Sequence, residues 1–351
     1  MTSWIVSYAS VTGISHKQSK LPCQDSAQTC LSRDGKWISC VVSDGAGSAK
    51  HSQIASKLLT KTLSVNLIDL AEKIASNGWE YAYKKFIVDA IESIRDDLKK
   101  QAKSEDLRDY HCTLVATLIG ETKGLTIHLG DGAIFGGSIT DSGENKVTLS
   151  KSTFASLPEN GQYANETFFV TEKDWQNHLR IENIENVDWF VNATDGGSAL
   201  GMINDKEAKP GFIKPVIQQL TKESSEKNRN KLLKTILSDT QANKLTSDDK
   251  TLAIIYRSGL LNKDTEIEMA EAVQKITSYL PPPSMLKRKV EERKSLYVKN
   301  NLQDEEENSK FTIFLCVFII FELIIVLWLY FDPETVINLT DRVIHAASSL
   351  Y

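Results

Sequence analysis

The 351-residue sequence predicts an α+β domain, followed by a charged, mostly helical stalk and one membrane-spanning helix. Three observations lead there. Short, apolar, often β-branched runs recur along residues 1–258. Two long amphipathic stripes stand between the second and third of those runs, and residues 311–331 are apolar on every side.

The runs SWIVSYA, KWISCVV, TLVATLI, LTIHLG, AIFGGSI, ETFFVT, DWFVNAT and TLAIIYR read as strands. In 51–74, Ile54, Leu58, Leu59, Thr62, Leu63, Leu67 and Leu70 share one face at helical spacing. In 78–100, Trp79, Tyr83, Phe86, Ile87, Ala90, Ile91, Ile94 and Leu98 do the same. A further helical pair is expected over 211–220 and 228–239. Strands dominate before and after the first helix pair without βαβ alternation, which predicts helices packed on antiparallel sheets.

Residues 259–310 are charged and interrupted by Pro281, Pro282 and Pro283. Their apolar spacing is too irregular for heptads, so a spacer is favoured over a coiled coil. The run FTIFLCVFIIFELIIVLWLYF over 311–331 spans about 30 Å as a helix, the thickness of a bilayer's hydrocarbon. It ends in Trp328, Tyr330 and Phe331, an interfacial pattern. Its N-terminal flank carries Lys287, Arg288, Lys289, Arg293, Lys294, Lys299 and Lys310, its C-terminal flank Arg342. That asymmetry places the N-terminal domain in the cytoplasm and the tail, 332–351, on the far side. Glu322 is the charge within the span; it either faces a partner helix or is tolerated singly. Self-association through the stalk or the span is compatible with both.

The formal net charge of -5 gives no reason to expect nucleic-acid binding. The five cysteines lack metal-type spacing and fit a reducing compartment. The start, MTSWIVSYASVTG, has no basic residue ahead of a long apolar stretch, so no signal peptide is expected.

Chemistry is concentrated in carboxylates. Of the four Asp-Gly pairs, Asp34-Gly35 reads as a hairpin turn between AQTCLS and KWISCVV. Asp44-Gly45, Asp131-Gly132 and Asp195-Gly196 instead each follow an apolar strand, a rigid place from which to project a carboxylate. The glycine behind each leaves room for close approach to the backbone. Ser247-Asp248-Asp249-Lys250 precedes the last strand, and Pro22-Cys23-Gln24-Asp25 precedes another strand-like run. Clustered aspartates repel one another until a cation neutralises them, and hard oxygen ligands favour Mg²⁺ or Mn²⁺ over Zn²⁺.

The ordered series Gln24-Asp25, Ser43-Asp44-Gly45-Ala46-Gly47, Cys112-Thr113-Leu114-Val115-Ala116, His128-Leu129-Gly130-Asp131-Gly132, Ala193-Thr194-Asp195-Gly196 and Asp248-Asp249-Lys250-Thr251 resembles the metal-dependent protein Ser/Thr phosphatases of the PPM family, type 2C. The resemblance covers about residues 10–258 and is nearest to a divergent bacterial branch. It implies a four-layer α/β/β/α sandwich with two central antiparallel sheets. It further implies a signalling hydrolase that cleaves phosphomonoesters on proteins with water activated by two Mg²⁺ or Mn²⁺ ions. In that scheme Asp44 bridges both ions, the Gly45 carbonyl binds one, and Asp195 and Asp248 complete the other. Asp25 holds metal-bound water, and Asp131 matches the position of a third, weaker ion. The implied partners are phosphorylated proteins, with a Ser/Thr kinase or its targets among them. The segment 152–187 falls where the family has a variable flap.

Two departures stand out. Gln24 replaces the family's Glu and removes a charge near the second ion. The Arg that grips substrate phosphate is missing, and His16 or Lys20 takes its place: His16 follows Gly13 as that Arg follows a glycine, while Lys20 keeps the five-residue spacing to Asp25. Neither offers the bidentate fork of Arg. These departures leave a second reading beside the active enzyme: a membrane-tethered pseudophosphatase that binds phosphoproteins without turnover. Thr113 is read as a core strand residue.

Overall fold

The computed structural model describes residues 4–269, apart from 79–81, 144–145, 151–153, 157, 159–166, 204–206 and 262–263. The chain runs β1 (Trp4–Val11), α1 (Ile14–Ser19), β2 (Ser26–Leu31), β3 (Ile38–Ser43), α2 (Ser52–Asn77), α3 (Tyr83–Ala102), β4 (Leu114–Ile119), β5 (Lys123–Leu129), β6 (Ala133–Gly137), β7 (Ile139–Gly143), β8 (Lys146–Leu149) and β9 (Phe154–Ser156). It continues through β10 (Arg180–Glu185), β11 (Trp189–Ala193), α4 (Asp195–Gly201), β12 (Met202–Ile203), β13 (Glu207–Ala208), α5 (Pro210–Leu220), α6 (Glu226–Leu237), α7 (Thr240–Leu245), β14 (Lys250–Arg257) and β15 (Glu266–Met269).

Ten strands form two five-stranded sheets, ordered β1-β14-β11-β6-β9 and β10-β5-β4-β3-β2, with every neighbouring pair antiparallel. Side chains alternate between the two faces of each strand, and here both faces are apolar. Along β11, Trp189, Val191 and Ala193 join Ile213, Ile217, Leu233 and Leu237 of α5 and α6, whereas Phe190 turns to the other sheet. Along β4, Leu114, Ala116 and Leu118 join Leu63, Leu67, Ile87 and Ile91 of α2 and α3, whereas Val115 and Ile119 turn inward. Three apolar cores thus separate four layers: helices, sheet, sheet, helices. Burying each large aliphatic side chain contributes about 1.5–3 kcal/mol. A polar link crosses the middle core: Thr117 donates to Asn192 Oδ1 at 3.0 Å, and Asn192 Nδ2 donates to the Cys40 carbonyl at 3.4 Å.

The helical stripes expected over 51–74 and 78–100 lie on α2 and α3, with Leu59, Leu63, Leu67, Leu70, Ile87, Ile91, Ile94 and Leu98 all buried. The helices expected over 211–220 and 228–239 are α5 and α6. Two expectations fail. ETFFVT, described from Thr167 onward, is a loop and not a strand. Its Phe168 stacks on His178 and its Phe169 on His111, while the Val170 N–H donates to the Cys112 carbonyl and Arg95 caps the Val170 carbonyl. Aromatic and β-branched content is used there to clasp a loop onto α3. The globular part, expected to close near 258, also continues. β15 pairs in parallel with β8, Leu261 and Ile267 are buried, and Gln218 of α5 bonds the Thr265 carbonyl and the Ile267 N–H. The fully buried Ile267 outweighs the charges around it.

The rest of the expected stalk, the span over 311–331 and the tail lie outside the described residues. Among the described residues no helix is long and apolar enough to cross a membrane.

Candidate active site

Antiparallel register gathers the chemistry. β1, β3, β5 and β11 run toward one end of the sandwich, and β2, β4, β6 and β14 start there. Val11 lies opposite Lys250, Ser26 opposite Ser43, Leu114 opposite Leu129, and Ala193 opposite both Leu252 and Ala133. Asp44 therefore follows β3, Asp131 lies between β5 and β6, and Asp195 follows β11. Asp248 and Asp249 precede β14, Asp25 precedes β2, and His16 sits on α1 just beyond β1.

The carboxylates are held by neighbouring threonines and by tight backbone packing. The Asp44 N–H donates to Thr113 Oγ1 at 3.0 Å and its carbonyl accepts from the Thr113 N–H at 2.8 Å. Gly45 is packed so tightly that a Cβ would lie 2.8 Å from both the Gln24 carbonyl oxygen and Ser52 Cβ. Thr194 Oγ1 accepts from the Thr251 N–H at 3.1 Å and donates to Asp25 Oδ2 at 2.9 Å, tying one sheet to the other. Asp195 opens α4 at a turn where a Cβ on Gly196 would come 2.0 Å from the Asp249 carbonyl oxygen. Glycine is what lets that turn press against the start of β14.

The electrostatics are those of crowded, buried carboxyls. Burial raises the Asp25 carboxyl to about 7; a hydrogen bond with Asp44 opposes the rise and the charge of Asp249 adds to it. Asp44 is pushed well above the usual carboxylate range, first by burial and then by Asp25, Asp195 and Asp131. Asp195 rises to about 6 through burial and the charges of Asp131 and Asp248. Asp131 is raised by burial, although Thr167 donates to its Oδ2 at 2.5 Å. Asp25 Oδ1 and Asp131 Oδ1 are buried without a donor among the described residues. There too, none of Asp25, Asp44, Asp131, Asp195 or Asp248 makes an ion pair. Nor do three His, Cys, Asp or Glu close into a preformed ligand cage. The aspartates meet as repelling neighbours, an arrangement that a divalent cation relieves by drawing them in.

Asp249 is the counterexample within the same cluster. It is buried, and its two oxygens accept three hydrogen bonds: from the Gly13 N–H at 2.6 Å, the Gln24 N–H at 2.6 Å and His16 Nδ1 at 3.0 Å. With Nδ1 bound, His16 presents Nε2 to the Asp44–Gly47 loop; a Cβ at Gly47 would lie 3.9 Å from both His16 Nε2 and Gln24 Oε1.

The structure thus brings together Asp25, Asp44, Gly45, Asp131, Asp195 and Asp248, with His16 beside them. Lys20 is exposed at the left-handed end of α1. Gln24 is buried, with its Oε1 unpartnered among the described residues. Asp34 and Gly35 form the expected turn, with Gly35 at φ 70°. Sequence reasoning missed three positioning residues. Thr113 orients Asp44, Thr194 orients Asp25, and Asp249 orients His16 and Gln24. All three stood inside the quoted motifs, beside the carboxylates they serve. Thr167 went unnoticed because the flap that carries it has no pattern of its own.

The family model for protein phosphatase 2C matches residues 12–238. The serine/threonine-protein phosphatase 3 of Escherichia coli (strain K12) is 30% identical over 264 residues, covering 72% of this chain and 98% of that protein. Among solved structures, a serine/threonine phosphatase of S. agalactiae superposes with a TM-score of 0.46 at 16% identity, covering 72% of this chain and 99% of its own. The catalytic domain of the serine/threonine protein phosphatase PstP, in complex with two manganese ions, does so with a TM-score of 0.45 at 13% identity, covering 73% and 99%. By the family match and the E. coli relative, the chain belongs to the PP2C-type (PPM) protein serine/threonine phosphatases, in their bacterial form, and its enzyme class is phosphoprotein phosphatase.

Proposed function

We propose that the chain hydrolyses phosphoserine or phosphothreonine on proteins with two Mg²⁺ or Mn²⁺ ions held at the aspartate end. The observation that carries this reading is the convergence of Asp25, Asp44, Asp131, Asp195 and Asp248, the first four of them raised chiefly by burial, with oxygens on Asp25 and Asp131 that have no donor among the described residues. Asp44, the Gly45 carbonyl, Asp195 and Asp248 would hold the two ions, and Asp131 a third. When bound, the ions offset charge on the transferring phosphoryl group and make the attacking water more acidic. Asp25, fixed by Thr194, orients that water and accepts its proton. His16, fixed by Asp249 through Nδ1, donates from Nε2 to a phosphate oxygen when both ring nitrogens carry protons. Gly47 leaves the loop beneath it open, since a Cβ there would meet nothing closer than 3.9 Å. Thr167 places the flap over Asp131, so the flap bears on this site directly.

The reading extends to location. The 311–331 run and its basic N-terminal flank support a single-pass anchor that keeps the phosphatase domain on the cytoplasmic side, facing membrane-associated phosphoproteins.

Gln24 and the lack of arginine between Gly13 and Asp25 favour a second reading, phosphoprotein binding without turnover. Phosphate release by the full-length chain from an aryl phosphate and a phosphothreonine peptide, with and without Mn²⁺, separates the two. Mn²⁺-dependent release is expected. Phosphopeptide binding by a folded chain with no release at any Mn²⁺ concentration would establish the second reading instead.

A further inference from the structure

On one flank both sheets end in edge strands, β1 and β2, and a cleft of about 540 Å³ opens between them. Lys57 of α2 reaches it from one helical layer and Lys231 and Lys234 of α6 from the other. All three are exposed, and none makes an ion pair among the described residues. Asn230 lies between the sheet edge and these lysines. Its Oδ1 accepts from the Tyr8 N–H at 2.9 Å, and its Nδ2 donors have no partner among the described residues. An acidic neighbour, Glu226 at the first turn of α6, acts on Tyr8 and is outside the cleft lining. Asp25 lines the cleft and also belongs to the carboxylate cluster.

Lysines from the two helical layers thus line one cleft in a chain of net charge -5, and they offer charge complementarity to an acidic segment. The cleft is too large for a lone phosphate and has the room of a short peptide segment. Its wall includes Asp25, so the cleft adjoins the carboxylate cluster along the chain path of a bound substrate.

We propose that this cleft binds acidic residues flanking the phosphorylated residue of the substrate, so that the enzyme selects phosphoproteins with Asp- or Glu-rich surroundings. The proposal deepens the phosphatase reading and rests on it for the substrate's identity. Its test is a binding measurement that does not need turnover. Fluorescence anisotropy would follow a labelled, unphosphorylated Asp/Glu-rich peptide and its Asn/Gln counterpart on the full-length chain. The triple variants Lys57→Glu/Lys231→Glu/Lys234→Glu and Lys57→Gln/Lys231→Gln/Lys234→Gln would be run alongside. The wild type should bind the acidic peptide roughly tenfold more tightly at low salt, and the preference should shrink as salt rises. Both variants, with unchanged melting temperatures, should lose the preference while hydrolysing an aryl phosphate at the wild-type rate. Equal binding of the two peptides by the wild type overturns the proposal. So does faster aryl phosphate turnover in both variants, which would mean that the cleft holds an acidic segment of the chain itself, such as Asp304–Glu307. Failure of the wild type to hydrolyse aryl phosphate counts against the phosphatase reading alone, since the peptide comparison still decides the cleft.

Discussion

At the end of the sandwich away from the aspartates, buried charge is closed on protein groups. Arg257 Nε donates to Asp188 at 2.6 Å, its guanidinium lies 4.4 Å over the Trp4 ring, and a further nitrogen reaches the Glu121 carbonyl. At the other end the same two sheets hold five carboxyls against one another, and among the described residues none of the five makes an ion pair. On the function proposed above, the difference separates charge used for stability from charge kept open for a ligand. A fold able to satisfy Arg257 so fully leaves Asp44 unneutralised only at a cost in stability, and a bound divalent ion would remove that cost.

The comparison breaks most sharply at Asp44. Asp44→Asn should lower Mn²⁺-dependent phosphate release by roughly 10³-fold or more, since it removes several kcal/mol of charge stabilisation. It should also raise the melting temperature of the metal-free chain by relieving repulsion. Calorimetric melting beside an aryl phosphate assay checks both.

The pH dependence of the metal-free chain comes next. An unfolded Asp titrates near 3.9, whereas Asp25 and Asp195 in the fold are raised to about 7 and about 6. Their folded forms hold protons that the unfolded forms have released. That contribution is fully present below about pH 4 and is lost as pH rises through 6 and 7. Denaturant titrations should show the chelated protein losing on the order of 4 kcal/mol between pH 5 and pH 8 from these groups. Saturating Mn²⁺ at pH 8 should restore it.

At the closed end, Arg257→Met should cost about 2 kcal/mol of stability, because it strands a partly buried Asp188. KM for aryl phosphate should not move. A changed KM would mean that the two ends are coupled.

The smallest effect concerns Asp249 and His16. His16→Ala should weaken inhibition by inorganic phosphate about fivefold, the value of one hydrogen bond. Asp249→Asn should do the same in the wild type and add nothing in the His16→Ala background. Additive losses would show that Asp249 does not act through His16.

Much of this was legible in the sequence, for identifiable reasons. Asp44, Asp131 and Asp195 each follow a buried strand whose apolar run is unmistakable, so the strand end and the carboxylate are read together. α2 and α3 were legible because Leu59, Leu63 and Leu67 or Ile87, Ile91 and Ile94 recur at helical spacing over many turns. Aromatic and β-branched content misled at ETFFVT: Phe168 and Phe169 satisfy strand propensity, yet they stack on His178 and His111 instead of pairing in a ladder. Such tertiary stacking leaves no local periodicity. β15 was missed because one buried residue, Ile267, anchors a short strand in charged surroundings. Asp249 was hidden by Asp248: adjacent aspartates look alike in sequence, and only the fold directs one to three donors and the other to the open cluster.

The most direct test of the central claim is Mn²⁺ binding at neutral pH, measured by titration calorimetry on the chelator-treated full-length chain and its Asp44→Asn variant. Two bound ions per wild-type chain, with binding at both positions weakened in a folded Asp44→Asn variant, is the predicted result. A folded wild-type chain that binds no Mn²⁺, or a variant that binds it unchanged, would contradict the assignment of the aspartate end as the metal centre.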